Sequence, residues 1–236
     1  MCIRDRYTNW KVKQAIIDYA QDKDIDQAET YITISGAIGH LDQLIKAGKT
    51  AERLALMGSA YRRRSLVAID EKAINDFEKA SECYYLAYEH NGKKNSYYHL
   101  SNWVLMELLI ALTKKKKKRS GVHVIGEDKM FKEQISWLGE LINKDTDKDF
   151  WTYSAEVHLK IINLLNESRL GNVVDYSTYE NEITQIYQTA WNRSGTQKDK
   201  QGELEHIRII RAHTVDVKLT AFLIELEKKI EEQILV

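Results

Sequence analysis

Arg208 and His213 close the run RIIRAH. A histidine can carry a proton to and from a reacting oxygen. An arginine beside it can steady charge on a phosphate. The pair is therefore a candidate for phosphodiester chemistry, and the plainer alternative is a surface arginine and histidine on an amphipathic helix. Just upstream, Glu203 and His206 form E-x-x-H, one ligand pair of a di-iron carboxylate bundle. Such a site needs two of these motifs and two further glutamates on facing helices. The chain holds no second E-x-x-H, so these two residues are read as polar groups facing solvent, and no metal or other cofactor is expected. His158 lies in an otherwise apolar face and is read as a satisfied core residue or a groove residue rather than a ligand.

Three more stretches bear on chemistry. Lys114 to Arg119 is a basic block that could contact phosphates. No aromatic residues interleave with it, so a base-stacking platform is not indicated. A helix end, where the dipole favours cations, or a solvated loop accounts for it as well. Ser35-Gly36-Ala37-Ile38-Gly39 lacks the Lys-Ser/Thr of a phosphate-binding loop. Its glycines are read as close helix contacts or as a break in a helix. Cys2 and Cys83 are too few and too far apart for a disulfide framework or a zinc site, and Cys83 is read as a buried thiol.

The elements that must position these groups are helical. The 236 residues are 43% hydrophobic and 30% charged, the balance of a globular chain. Lysines and arginines number 35, as do aspartates and glutamates, which leaves no chain-wide attraction to nucleic acid or an anionic membrane. Nucleic acid is not the expected partner, the basic block 114–119 being the one hint of it. Proline is absent, where an average chain of this size holds about 12. That suits long helices joined by short turns. The most apolar run, 103–112, is interrupted by Glu107 and is half the ~20 residues of a membrane span. No membrane contact is expected, and the cytoplasm is the expected location.

Apolar spacing near 3.6 predicts about nine or ten helices. The first covers 8–21, with Thr8 as N-cap and Trp10, Ile16, Ile17 and Tyr19 apolar. The second covers 26–46, from an Asp26/Glu29 capping box to a stop at Gly48. A third spans 50–69, and a fourth begins at an Asp70 cap and ends at Asn91-Gly92. The fifth, 96–116, is apolar nearly all round, and a loop through 126 follows. A sixth covers 128–143. Asp149 caps a seventh, along which Trp151, Ala155, His158, Ile162 and Leu165 share a face. A Ser177/Glu180 box caps an eighth, with a stop at Gly195. Residues 201–235 form one long helix or two abutting ones, striped by Leu219, Phe222, Leu223, Leu226, Ile230 and Ile234.

One helix pair carries a family likeness. AERLALMGSAYRRRS followed by FEKASECYYLAYEHN resembles a tetratricopeptide repeat. Leu54, Met57, Gly58 and Tyr61 match the first helix, and Ala80, Tyr84 and Ala87 the second. About ten extra residues separate the halves, and the usual closing proline is missing. The resemblance implies an all-α fold: an α-solenoid of antiparallel helix pairs over residues 7–236, best formed at 51–90. It implies a binding role toward a protein or peptide, with no catalysis of its own. Tyr85, Tyr88, Tyr97 and His158 are the groove candidates, the alternative for the tyrosines being packing between repeats. The wider layout is similar to the repeat regions of large bacterial proteins, which often join such helices to a CHAT-type effector domain.

Two further resemblances stand beside this one. Arg208 and His213 fit the R-x4-H spacing of HEPN ribonucleases, which are also all-helical. That likeness implies a dimeric RNase as the alternative function. This chain has Ile209 where that family usually has a polar residue. The opening MCIRDR resembles the translation of a sequencing-library transposon end. It implies that residues 1–6 are not native, that Cys2 is no real cysteine and that the chain is an N-terminally truncated piece of a larger protein.

Overall fold

A computed structural model describes residues 3–21, 25–69, 71–92, 96–113, 121–193 and 196–234. Among these, ten α-helices and one 3-10 turn are present, and no strand. In chain order the helices are α1 (Ile3–Gln21), α2 (Gln27–Ala47), α3 (Ala51–Arg64), α4 (Glu71–His90), α5 (Tyr97–Leu112), α6 (Asp128–Asn143), α7 (Phe150–Leu170), α8 (Tyr176–Arg193), α9 (Gln197–Ala212) and α10 (Val217–Ile234). The fold of the described residues is all-α and of the solenoid-like repeat kind, with α1 packed on α2, α2 on α3, α3 on α4, α6 on α7, α7 on α8 and α9 on α10. The repeat domain expected over 7–236 divides into two compact units, Met1–Ile110 and Ala111–Val236.

In the first unit, α1 packs on α2 and α3, and α3 packs most extensively on α4. Val12, Ile16, Ile34, Ile38, Leu41, Met57 and Ala60 form a core there, joined by Cys83. Burial pushes the Cys83 thiol up to about 12, so it stays protonated and inert at neutral pH. α5 is buried on every side from Leu100 to Ile110, its mostly apolar composition taking Ser101, Asn102 and Glu107 inside with it. No helix among the described residues is long and apolar enough to cross a membrane. In the second unit, α7 packs on α6 and α8, and α10 packs on α8 and α9.

Several local expectations are corrected. α1 begins at Ile3, so Thr8 is not its cap: it sits inside the helix, and its hydroxyl donates to the Arg4 carbonyl. The buried side of α1 is Val12 and Ile16, while Trp10 and Ile17 are exposed. Asp26 does cap α2, accepting from the Ala28 amide. α2 runs unbroken through Gly36 and Gly39, and neither glycine approaches a neighbour, so they are neither a break nor a close contact.

α3 ends at Arg64 and continues as a 3-10 turn, Ser65–Val67. Trp151 is exposed at the start of α7, although Ala155, His158, Ile162 and Leu165 are buried as expected. α8 is capped by Asp175, not by Ser177. The Asp175 carboxylate accepts from the amides and hydroxyls of both Ser177 and Thr178. Those bonds hold it down at about 2. Beyond residue 200 there are two helices, parted at 213–216, and α9 starts with a Thr196/Asp199 capping box that sequence reading missed. The Asp70 cap, the Gly195 stop and the block 114–119 lie outside the described residues, as do Met1 and Cys2.

Candidate functional site

The helix pair with the repeat signature is built around an absent side chain. A Cβ on Gly58 would lie 3.2 Å from the Tyr84 ring. Glycine there lets α3 and α4 approach until the Tyr84 ring, fully buried, fills the gap between them. Leu54, Met57, Ala80 and Ala87 are buried around it, and Tyr61 is half-buried. Of the proposed groove tyrosines, Tyr88 is buried and stacks on Trp103 at 6.2 Å. Tyr85 meets the same indole edge-on at 4.9 Å and is half-buried, as is Tyr97. Tyr98, which is not one of those candidates, is exposed and set edge-on to Tyr84 and to His99.

Directly after Tyr61 come three arginines that sequence reading did not single out. Arg62 and Arg63 are buried. Arg62 Nη1 donates to Asn102 Oδ1 at 2.7 Å, which ties α3 to α5. Arg63 Nη1 donates to Ser59 Oγ. Arg64 forms a two-pronged pair with Asp76, its Nη2 at 2.5 Å and Nε at 3.0 Å from the two carboxylate oxygens. Its guanidinium also lies 4.7 Å from the Tyr31 ring centre and 5.1 Å from that of Tyr61. Burial raises the Asp76 carboxyl despite the arginine beside it. One signal was legible: three consecutive helical positions span 200°, so a helix buried on most sides must take at least one of three arginines inside.

In the second unit a single carboxylate gathers three helices. Glu203 on α9 is only 5% exposed. Its Oε1 accepts from Ser154 Oγ at 2.7 Å, and its Oε2 from Tyr187 OH at 3.0 Å. His158 Nε2 lies 3.0 Å from the same Oε2. An ionised carboxylate only accepts, so Nε2 is the nitrogen that carries the proton. Burial by itself raises Glu203, but His158, Ser154 and Tyr187 outweigh it and hold the carboxyl below its ordinary value. Tyr187 is driven far the other way by burial and by the adjacent carboxylate. The His206 ring stacks on His158, with centroids 4.0 Å apart and planes 14° from parallel.

This overturns one sequence reading. Glu203 and His206 do not face solvent; the side of α9 that bears them is turned toward α7 and α8. His158 is the satisfied core histidine, and its burial takes it out of a groove surface. Ser154, His158 and Glu203 are not a nucleophilic triad, since the serine donates to the glutamate rather than to the histidine. Among the described residues no group of three or more His, Cys, Asp or Glu side chains is arranged to hold a metal ion.

Arg208 and His213 occupy different settings. Arg208 Nε donates to Glu227 Oε1 at 2.7 Å, and its Nη2 donates to Glu231. Arg211 Nε donates to Glu227 Oε2, so α9 and α10 are laced by one ion-pair network. An anion approaching Arg208 would meet two carboxylates. His213 is the C-cap of α9, and burial lowers it to about 4. At neutral pH it is uncharged and far from the value that suits acid–base work.

Residues 11–107 match the family model described as Tetratricopeptide Repeats-Sensor. The matched stretch runs from within α1 to within α5 and contains the Gly58–Tyr84 contact. A tetratricopeptide-like helical region is therefore present there. No curated protein and no solved structure gives a significant match.

Proposed function

We propose that the chain binds another protein, as the scaffold or sensor part of a larger bacterial protein acting in the cytoplasm, and has no catalysis of its own. The observation that carries this reading is the coincidence of the family match with the α3–α4 pair, where a glycine and a buried tyrosine set the spacing that stacked repeats need. Repeats of this type generally mediate protein contacts. An attached effector, of the CHAT type or another, would hold the chemistry. The buried Glu203 hub fits the same reading. It fixes three helices and presents nothing to a substrate.

The binding surface proposed here is the aromatic step after α4, where Tyr98 is exposed beside Tyr97. Tyrosine gives a large contact area at small cost in side-chain entropy. The test is cross-linking mass spectrometry on purified chain and a Tyr97→Ala/Tyr98→Ala double variant. A partner that cross-links to the parent in fixed ratio and is lost from a correctly folded variant supports the surface. Equal recovery rejects it. RNA cleavage by the parent that disappears in His213→Ala would replace the scaffold reading with the ribonuclease one.

A further inference from the structure

We draw no further inference here: the strongest candidate, the stacked His158 and His206 rings beside the Glu203 carboxylate among α7, α8 and α9, belongs to the buried joint already described and to the packing of those helices rather than to a surface that a ligand can reach.

Discussion

α3 and α4 are held at their spacing by a side chain that is missing, while α7, α8 and α9 are held by one that is charged. At the first contact Gly58 admits the Tyr84 ring, and the joint is steric and apolar. At the second, Glu203 accepts from Ser154, His158 and Tyr187, and the joint is polar and buried. The two differ in how they fail. A steric joint tolerates changes of pH and salt but no added volume. A buried polar joint tolerates little loss of any member, because each orphaned donor retains its desolvation cost. They differ also in legibility, since small and aromatic residues at fixed spacing make a motif, and one glutamate on a polar helix does not.

Three measurements would break or sharpen this contrast. The largest effect is expected at Glu203. Glu203→Ala leaves three buried donors without their acceptor and should cost about 3–5 kcal/mol in denaturant unfolding of the full chain. A loss below ~1 kcal/mol would mean that the carboxylate is incidental to the packing of α7, α8 and α9.

Next comes acid sensitivity, which should belong to the second unit. His213 is depressed to about 4 from an ordinary 6.5 by burial. Above pH 6.5 neither folded nor unfolded chain protonates it. Between 6.5 and about 4 the unfolded histidine takes a proton that the folded one refuses. Stability is therefore full at neutral pH and falls by roughly 2–3 kcal/mol as pH drops across that window. His213→Asn should remove this slope. Glu203, also depressed, acts lower: its contribution is present above about 4.5 and is lost as pH falls through its folded value. A pH–stability curve that His213→Asn leaves unchanged would show that the C-cap histidine is not the group responsible.

The smallest effect is expected at the steric joint, and it separates volume from polarity. Gly58→Val should destabilise by about 2 kcal/mol, since the Tyr84 ring has nowhere to move. Gly58→Ala should come close to neutral, because a helix gain of about 1 kcal/mol offsets the strain of its single methyl group. Neither cost should change between pH 7 and 5. A valine variant as stable as the parent would show that α3 and α4 can separate, and that the close approach is not obligatory.

Much of the fold was legible for local reasons. Apolar periodicity placed α6 at 128–143, and Asp26 and Asp149 marked helix starts because a short carboxylate there meets unpaired amides. α8 went astray because Asp175 and Ser177 both have the chemistry of a cap. The carboxylate takes four bonds, which leaves the serine as a donor to it. Thr8 was misread because a capping residue inside a longer helix has the same identity as one at its end. Gly36 and Gly39 looked like Gly58 in sequence, but only Gly58 faces a neighbouring ring.

By itself the sequence determined that the chain is helical, where most helices lie and that one pair among them packs as a repeat. Those are consequences of spacing along a single helix or between adjacent ones. Only the tertiary structure decided which polar residues go inside. Nothing along α9 distinguishes Glu203, which is sealed among α7 and α8, from Glu205 two residues on. Burial depends on what lies across the contact, and Ser154, His158 and Tyr187 are 49, 45 and 16 residues away in sequence. The same holds for Arg62, buried because Asn102 stands 40 residues away with an oxygen to receive it.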